Sequence, residues 1–370
     1  MEINHLILGK ANPQRMNGVN RVVNELATRQ AAQGIKVKVY GLAQNAIADY
    51  PSRNYITCLF KKHRNPFTLP TSFINTIRGL NPQDTVFHLH GGFIPQMYAA
   101  ARLLHRHHIP FVFTPHGSYN SIAMQRNGAI KSIYYRLFER RLLELSAGIH
   151  LLGQSELTAT QKLVPRANLH LIPYGFEISE LKTRALDPDK LIIGYCGRID
   201  IYTKGLKELL MGFDKFYQYN KNARLWIIGD GKEKTALQRL AETLVCYKAI
   251  TFWNARYGNE KESLLRQCSI FAAPSRNEGM PNSVLEAASM GIPCLVTVAT
   301  NTGDYILKYK AGEVIPDTSP EEVFFGLTKL SEKIKDPLSA HSISERARLM
   351  IRESFDWQHI LSRFNQLYQC

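Results

Sequence analysis

The sequence has 370 residues, of which 45% are hydrophobic and 21% are charged; this composition excludes a disordered or fibrous chain, and the length favours two domains. No stretch approaches the ~18 consecutive apolar residues of a transmembrane helix, and the first residues lack the basic leader of a signal peptide, so we expect a cytoplasmic protein. The formal net charge is +15, and residues 1–175 hold 20 basic and 7 acidic residues against 26 and 24 in the remainder. This imbalance predicts that the first half meets an anionic partner such as a phospholipid surface or a lipid phosphate.

Short β-rich segments alternate with helical patterns through the first half of the chain, as in a parallel sheet covered by helices on both faces. We therefore predict a Rossmann-like α/β domain over residues 1–175. Its predicted strands are Ile3–Leu8, Lys36–Tyr40, Thr85–Leu89, Phe111–Thr114, Gly148–Leu152 and His170–Ile172.

The same alternation starts again after the polar stretch Pro173–Lys190, which is the predicted linker. Residues 188–354 are therefore predicted to form a second Rossmann-like domain. The last segment, Phe355–Tyr368, has the pattern of an amphipathic helix. The predicted strands of the second domain are Leu191–Tyr195, Arg224–Ile228, Ile250–Trp253, Ile270–Ala273 and Cys294–Thr297.

The strongest motif spans residues 272–293, where a predicted strand ends at Pro274 and a glycine-containing loop carries Glu278. Eight helical residues between Glu278 and Glu286 would span about 12 Å, more than the ~5–9.5 Å between the paired carboxylates of a glycosidase. The spacing therefore favours two separate hydroxyl contacts, with two surface carboxylates as the alternative. Pro281 lies near a predicted helix start, where N–H groups are free to meet a ligand.

A second motif follows the strand that begins at Leu191. Gly197 lets the chain turn, Arg198 emerges at the strand end, and Lys204 lies just before a helical pattern. Arginine offers a planar fork to phosphate oxygens and lysine a point charge, so the two could neutralise a diphosphate. Two solvated cations in a loop are the alternative.

Two further signals lie in the first half. His116 ends an apolar strand in Pro115-His-Gly117, which places it at the ligand edge of the sheet, either as a hydrogen-bonding group or as a satisfied, partly buried histidine. Gly18 precedes a helix and allows close backbone approach to an anion. The surrounding residues do not form Gly-x-Gly-x-x-Gly, which argues against a nicotinamide cofactor.

Together these motifs resemble the family-4 retaining glycosyltransferases of GT-B fold, of bacterial surface-polysaccharide type. The resemblance spans most of the chain. The residues that carry it are Gly18, His116, Gly197-Arg198, Lys204-Gly205, Ile228-Gly229-Asp230-Gly231, Glu278, Glu286 and the Phe-x-Trp pattern at 355–357.

This resemblance implies two Rossmann-like domains that face each other across a cleft, with the C-terminal helix (355–370) crossing back onto the N-terminal domain. It implies a nucleotide-diphosphate sugar as co-substrate, no cofactor and no obligate metal. The N-terminal domain would bind a glycan or lipid-linked acceptor, and the chain would work in the cytoplasm or at the inner face of the membrane.

The resemblance also implies roles for individual residues. Arg198 and Lys204 would bind the donor diphosphate, and Glu278 would contact the donor sugar. Glu286 would hold the ribose hydroxyls, and His116 would lie beside the reacting sugar. Relatives often carry Gly-Gly where Asn17 precedes Gly18, so the phosphate contact there stays open. The other implied donor contacts are Gly18, Gly197, Gly229, Gly279, Met280, Pro281 and Asn282.

Two short motifs could suggest a metal site. The Asp-x-Asp pattern at 187–189 lies in the predicted linker and does not follow a strand. The histidine-rich segment 105–108 lacks a spaced acidic or cysteine partner and has the features of a helix C-terminus. The six cysteines are scattered, and we interpret them as small buried residues of a chain in a reducing compartment.

Alternatives remain at this stage. The run Arg126–Leu145 mixes cations with aromatic and apolar residues and predicts either a membrane-surface element or a packed helix with a solvated basic face. Another GT-B reaction, epimerisation or phosphorolysis, would use the same motifs, and a non-catalytic module could bind anionic glycolipid through the first domain. No nucleic-acid-binding motif accompanies the positive charge, so we expect no nucleic-acid partner.

Overall fold

The computed structural model describes residues 1–12, 18–119, 124, 128–177 and 190–369. The chain separates into two compact units. Unit 1 comprises Met1–Tyr174 and Trp357–Cys370, and unit 2 comprises Gly175–Asp356. The Asp-x-Asp pattern at 187–189, Asn17 and Arg126 lie outside the described residues.

Unit 1 contains a seven-stranded parallel sheet in the order β3-β2-β1-β4-β5-β6-β7. Its strands are β1 Glu2–Leu8, β2 Lys36–Ala43, β3 Ile56–Lys61, β4 Thr85–His90, β5 Phe111–Thr114, β6 Gly148–Leu151 and β7 Leu169–Leu171. Its helices are α1 Gly18–Ala32, α2 Thr71–Arg78, α3 Pro95–Arg106, α4 Gly128–Tyr134, the π-helical turn Tyr135–Glu139, α5 Arg140–Leu145 and α6 Gln154–Leu163.

The C-terminal helix α14, Trp357–Leu367, belongs to unit 1, as predicted. Its buried residues recur at helical spacing, so one face of the helix is apolar. That face, with Phe364 at its centre, packs in one cluster with Ile3 of β1, Val86 of β4 and Val112 of β5. Packing against three strands gives the helix tertiary stabilisation that propensity alone would not supply.

Unit 2 contains a six-stranded parallel sheet in the order β10-β9-β8-β11-β12-β13. Its strands are β8 Leu191–Cys196, β9 Ala223–Ile228, β10 Ile250–Trp253, β11 Ile270–Ala273, β12 Cys294–Thr297 and β13 Gly312–Ile315. Its helices are α7 Leu206–Tyr219, α8 Lys234–Glu242, the 3-10 turn Tyr247–Ala249, α9 Gly258–Arg266, α10 Asn282–Ser289, α11 Gly303–Tyr309, α12 Pro320–Lys335 and α13 Pro337–Ser354.

Both sheets are doubly wound, and each has a point where the strand order reverses. In unit 2 the chain leaves β8 toward β9 and β10, then returns beside β8 and continues through β11, β12 and β13. In unit 1 the reversal falls between β1 and β4. Because loops diverge at such a point, the carboxyl ends of the flanking strands form a crevice that suits ligands.

Two strands were not predicted. β3 lies at the sheet edge and its six residues are exposed or half-buried, so it lacks the apolar run of a central strand. β13 has four residues, including Gly312 and Glu313, which is too short for a clear pattern. Both strands occupy edges, where packing and register rather than composition select the conformation.

The described cysteines are all free thiols. Cys246, Cys268 and Cys294 are buried as expected, whereas Cys58 and Cys196 are only half-buried. No helix of the described residues is long and apolar enough to cross a membrane.

Candidate functional site

Glycines bring the loops after β8 and β9 into direct backbone contact. Gly229 has a φ of +156°, and a Cβ there would collide with the carbonyl oxygen of Gly197. A Cβ at Gly231 would collide with the carbonyl oxygen of Ile199, whose N–H donates to the carbonyl of Asp230 at 2.9 Å. Only glycine allows this approach, so Gly197 and Gly229 shape the loop that carries Arg198.

Gly205 seats the next part of that loop against β11. It is the N-cap of α7 with a left-handed φ of +64°, and a Cβ would collide with the carbonyl oxygen of Pro274 and with Thr318. The N–H of Lys204 donates to the carbonyl of Asp200 at 3.1 Å. Lys204 is therefore held at the strand-order reversal between β8 and β11.

Lys204 and Glu278 meet at this point. The Lys204 Nζ donates to Glu278 Oε1 in an ion pair whose side chains are 15% and 20% exposed. The backbone of Glu278 also forms an isolated parallel bridge with Thr300. The structure thus joins the two strongest sequence motifs in one contact, 74 residues apart in the chain.

Arg276 braces both loops, and sequence reasoning missed it. Its guanidinium pairs with Glu208 at 2.8 Å and donates to the carbonyl of Tyr202 at 2.8 Å. Its own N–H donates to the carbonyl of Thr203 at 2.9 Å. Arg276 therefore fixes the segment that carries Lys204, and neither motif contains a signal for this contact.

Glu286 faces a second cation that the sequence did not reveal. Lys261 of α9 lies 2.7 Å from Glu286 Oε2 and 2.8 Å from Oε1. The two side chains are 21% and 12% exposed. Glu286 is thus a partly buried carboxylate with a fixed cationic neighbour, at the end of a strand–loop–helix unit.

The segment between the two glutamates ends at the start of α10. Pro281 is the buried N-cap residue, in extended conformation, and Gly279, Met280 and Asn282 are half-buried. The first N–H groups of a helix have no intrahelical acceptor. This helix start can therefore donate to an anionic or polar ligand group.

Arg198 is the most exposed of the four charged residues predicted to bind the donor. Its side chain is 66% exposed and its guanidinium lies 3.7 Å from Asp200 Oδ2. Burial by itself raises the pKa of Asp200, but the hydrogen bond from Thr203 and the cations Arg198 and Lys204 hold that pKa below its ordinary value. Arg198 therefore lies at the mouth of the loop, beside an ionised carboxylate.

In unit 1, His116 follows β5 in the left-handed conformation, with a φ of +54°. Its Nε2 lies 3.0 Å from His90 Nδ1, and its Nδ1 lies 2.8 Å from the Tyr174 hydroxyl. Both ring nitrogens therefore have partners within unit 1. Burial, with a smaller contribution from the nearby His150, lowers the pKa of His116 to about 3.

Two buried glutamates shape the loops beside His116, and neither was predicted. Glu156 accepts from the N–H of Gly117 at 2.6 Å, and burial raises its pKa to about 7. Glu139 accepts from the N–H of Phe93 at 2.7 Å and from the Tyr119 hydroxyl at 2.6 Å, and burial raises its pKa also to about 7. These carboxyls tie the loops after β4 and β5 to the helices behind them.

Gly18 opens α1, and a Cβ there would meet no described atom within 4 Å. Its surroundings in the described chain therefore do not require glycine. The neighbouring loop behaves differently, since Gly9 has a φ of +144° and a Cβ would lie 2.6 Å from Asn20 Oδ1. A tight backbone approach thus lies at Gly9, directly after β1.

Among the described residues, one group of histidines is close enough to be considered for a metal. Ring nitrogens of His5, His88 and His90 lie within 4.8 Å of one another, and all three rings are buried. The segment 105–108 is not part of it: α3 ends at Arg106, and His107 is the C-cap residue, as the sequence predicted.

Comparisons with known proteins cover both units. Residues 16–180 match the family described as Glycosyltransferase Family 4, and residues 178–350 match the family described as Glycosyl transferases group 1. The capsular polysaccharide biosynthesis glycosyltransferase CapM of Staphylococcus aureus is 22% identical over 189 residues, which is 51% of this chain and 48% of CapM. The chain spans about half or less of the length of the curated relatives it matches first.

Solved structures match over the whole chain. The sucrose-phosphate synthase of Thermosynechococcus elongatus superposes with a TM-score of 0.77 at 16% identity, covering 100% of this chain and 98% of that one. The Anabaena protein HepE, in complex with UDP-glucose, gives 0.75 at 16% identity and covers 100% of both chains. These likenesses establish the fold. With two consecutive family matches and a doubly wound sheet in each unit, the chain belongs to the family-4 glycosyltransferases of GT-B fold.

Proposed function

We propose that the chain is a retaining glycosyltransferase. It moves a hexose-type sugar from a nucleotide-diphosphate sugar to a glycan acceptor, lipid-linked, in surface-polysaccharide assembly. The observation that carries the proposal is the Lys204–Glu278 pair at the β8–β11 reversal. Family membership and the name of CapM support the pathway, and the UDP-glucose complex of HepE supports the class of donor.

The ion pair suits a site that must accept an anion. Lys204 and Glu278 neutralise each other, and their side chains are 15% and 20% exposed. A bound diphosphate would replace Glu278 as the partner of Lys204, and the released carboxylate would accept hydrogen bonds from sugar hydroxyls. The charge that stabilises the leaving diphosphate is then already in place before the sugar–phosphate bond breaks.

The roles of the other donor residues follow from the resemblance to the family-4 glycosyltransferases. Arg198 lies at the mouth of the loop and would close on the diphosphate. The start of α10 would direct free N–H groups at the donor, and Glu286, held by Lys261, would accept from ribose hydroxyls. Each role uses a group whose charge or dipole is fixed by the fold.

A thermal-shift screen tests the donor assignment. UDP, GDP, ADP and CMP are added in turn at 100 times the expected dissociation constant, where a ligand stabilises by ~2.7 kcal/mol. One nucleoside diphosphate is expected to raise Tm for the wild type and for Lys207→Ala, a control at an exposed lysine of α7, but not for Lys204→Ala.

The outcomes separate the rival functions. A rise that survives Lys204→Ala contradicts the donor assignment. Conversion of the sugar nucleotide without an acceptor, or a need for free phosphate, identifies another GT-B reaction. Binding of anionic glycolipid with no response to any nucleotide supports a non-catalytic module. When transfer is observed, NMR of the product anomer decides between retention and inversion.

We further propose that unit 1 contacts an anionic membrane surface through α4 and the π-helical turn. Tyr134 and Phe138 pack against Phe67, with ring centroids 6.4 and 4.8 Å away. Ile130, Ile133 and Leu137 lie at i, i+3 and i+7 and are 72%, 60% and 61% exposed. The cations along the same run are Lys131, Arg136, Arg140 and Arg141.

An exposed apolar stripe among cations is the pattern of a helix that lies in a membrane interface. Co-sedimentation with phosphatidylglycerol vesicles tests it. Neutralising the four cations, or replacing Ile133 and Leu137 by aspartate, is expected to abolish binding at physiological salt. Leu338→Asp, at an 82% exposed leucine of unit 2, serves as the control. Binding that survives both changes would contradict the proposal.

A further inference from the structure

Unit 1 buries a layer of histidines between its sheet and its C-terminal helix. His5 comes from β1, His88 and His90 from β4, and His150 from β6, and all four are at most 1% exposed. His116 follows β5 and continues the layer toward the sheet edge. Of these five, only His116 has a proposed role in sugar transfer, since the family resemblance implies that it lies beside the reacting sugar. The other four are buried titratable groups with no assigned role.

Every ring nitrogen in this layer has a hydrogen-bond partner, and the bonds form one unbranched chain. Its links, with heavy-atom distances, are Tyr174 Oη to His116 (2.8 Å), His116 to His90 (3.0 Å), His90 to His5 (3.0 Å), His5 to Gln30 (2.8 Å), Gln30 to Tyr368 Oη (3.3 Å), Tyr368 to His88 (2.8 Å), His88 to Thr114 Oγ1 (2.5 Å), Thr114 to His150 (2.8 Å) and His150 to the Ile172 carbonyl (2.6 Å).

The direction of this chain is fixed at one end by a backbone group. The Ile172 carbonyl can only accept, so His150 carries its proton on Nε2 and accepts on Nδ1. Thr114 therefore donates to His150 and must accept from His88, whose proton is then also on Nε2. His88 accepts on Nδ1 from the hydroxyl of Tyr368.

The same logic continues toward the sheet edge. The Tyr368 oxygen accepts from the Gln30 amide nitrogen, which turns the Gln30 carbonyl oxygen toward His5. His5 donates to it from Nε2 and accepts on Nδ1 from His90. His90 in turn accepts on Nδ1 from His116, so all of the rings share the Nε2–H tautomer.

The assignment requires that each ring be neutral, and burial provides this. Burial lowers the pKa of His5 and of His150 to about 4, and it lowers those of His88 and His90 well below the ordinary value. A neutral imidazole has one donor and one acceptor, which is what each position in the chain uses.

The chain ends on a carbonyl and not on a base, so it cannot carry protons away from His116. We propose that it is a tautomer lock: the Ile172 carbonyl, acting through His150, Thr114, His88, Tyr368, Gln30, His5 and His90, holds His116 as the Nε2–H imidazole in its left-handed conformation. The functional meaning of the lock rests on the proposed role of His116, whereas the lock itself is a property of unit 1 alone.

A metal held by His5, His88 and His90 would need free lone pairs. Each Nδ1 of these rings accepts a hydrogen bond and each Nε2 carries a proton, so the chain leaves none. The geometry therefore favours the lock over a metal site. Stoichiometric binding of zinc alone in equilibrium dialysis, lost in His88→Asn, would overturn it.

Thr114→Val tests the lock without touching His116. Valine keeps the shape and removes the hydroxyl, leaving His88 Nε2–H without an acceptor. The released part of the chain can then reverse, which moves the unpaired hydrogen from the rigid His88 ring to the rotatable hydroxyl of Tyr174. His150 should stay Nε2–H, while His116 should change to Nδ1–H. Thr114→Ser keeps the hydroxyl and should restore the wild-type tautomers.

Tyr368→Phe is a second test that cuts the chain elsewhere. It should leave His88 as Nε2–H and release only His5, His90 and His116. The readout is the 15N chemical shift of labelled histidines, with His63, His105, His107, His108, His170, His341 and His359 set apart because they are exposed or half-exposed. This measurement needs neither a sugar donor nor a glycan acceptor, so it tests the lock even if the proposed function is wrong.

Transfer activity provides the functional readout. Thr114→Val should lower kcat about tenfold with donor KM unchanged, and Thr114→Ser should recover it. Unchanged tautomers in folded Thr114→Val and Tyr368→Phe would overturn the lock. Changed tautomers with full kcat would overturn its functional meaning.

Discussion

The loops at the carboxyl ends of the two sheets are held by different interactions, which are charged in unit 2 and neutral in unit 1. In unit 2, the loops are held by the partly exposed pairs Lys204–Glu278, Arg276–Glu208 and Lys261–Glu286. In unit 1, the equivalent edge is held by neutral histidines in a saturated hydrogen-bond chain. Ion pairs near water can exchange partners with a charged ligand, whereas a saturated neutral chain keeps its geometry. The first arrangement suits the binding of a charged ligand such as the proposed donor diphosphate, and the second suits a loop whose geometry must stay fixed.

The largest expected effect concerns acid stability. In unfolded protein the five histidines of the layer, which are His5, His88, His90, His116 and His150, take up protons below pH ~6.5. In the fold burial lowers the pKa of His5 and His150 to about 4 and that of His116 to about 3, and it lowers those of His88 and His90 well below the ordinary value. The rings therefore stay neutral in the fold, and stability is lost as pH falls below ~6.5. His170 and Arg363, which face His150, act in the same direction.

Glu139 and Glu156 oppose this effect, because their raised pKa values of about 7 keep them protonated when the unfolded chain has ionised. The difference is about three protons near pH 5.5, so unit 1 should lose about 4 kcal/mol per pH unit there. Unit 2, whose single histidine His341 is exposed, should change little until the carboxylates titrate.

Urea unfolding followed by tryptophan fluorescence at pH 7.0, 6.0 and 5.5 measures the difference. Trp357 reports on unit 1 when Trp226 and Trp253 of unit 2 are replaced by phenylalanine. Unit 1 should unfold at progressively lower urea as pH falls. Equal acid sensitivity in the two units would contradict the comparison.

The second-largest expected effect is on turnover, which should depend on the charged residues of unit 2. Lys204→Ala removes the cation that balances the leaving diphosphate and should lower kcat by 10²–10³, about 3–4 kcal/mol. Glu278→Ala should also reduce transfer strongly while the fold remains. Circular dichroism checks the fold, and Lys207→Ala should leave kcat within twofold. Full activity in either Lys204→Ala or Glu278→Ala would contradict the assignment of these residues to the donor site.

A substitution at Gly205 tests the close approach between its backbone and the Pro274 carbonyl, which positions Lys204. Gly205→Ala adds a Cβ in left-handed backbone and a collision with Pro274, so unit 2 should lose about 3 kcal/mol. Gly258→Ala is the matched control, with a φ of +52° but no described atom within 4 Å of the Cβ. Its loss should be about 1 kcal/mol. Equal losses, measured by urea unfolding, would mean that the close approach adds nothing.

The smallest effect concerns the support of Glu286. Lys261→Met removes the cation beside a carboxylate that is proposed to hold ribose, and donor KM should rise about threefold with kcat unchanged. Lys248→Met, at an exposed lysine, is the control. Steady-state kinetics at varied donor concentration measures both KM and kcat. A fall in kcat with unchanged KM would instead place Lys261 in the chemical step.

The sequence was informative where the chain has a local pattern. Strand ends followed by loops that carry a glycine and a polar or charged residue predicted the loops of Lys204, Glu278 and His116. Both Rossmann-like domains followed from strand–helix alternation. The pairing of Lys204 with Glu278 could not be predicted, because it depends on β8 and β11 becoming neighbours across 74 residues.

The supporting contacts of Arg276 and Lys261 could not be predicted from the sequence for a related reason. Arg276 and Lys261 look like ordinary surface cations, and only the fold brings them to Glu208 and Glu286. The histidine chain did leave a signal: His88 and His90 occupy alternate positions of a buried strand that is otherwise apolar after Thr85, and a buried polar group needs a partner. The partners come from elements far apart in the chain, so their identity needed the structure.

The central claim is that Lys204 recognises the terminal phosphate of the donor's nucleotide. Isothermal titration of the nucleoside diphosphate and monophosphate with the same base, into wild type, Lys204→Ala and Lys207→Ala, tests it most directly. We expect wild type and Lys207→Ala to bind the diphosphate at least tenfold more tightly, about 1.4 kcal/mol, and Lys204→Ala to lose that preference. A diphosphate preference that persists in Lys204→Ala would contradict the account.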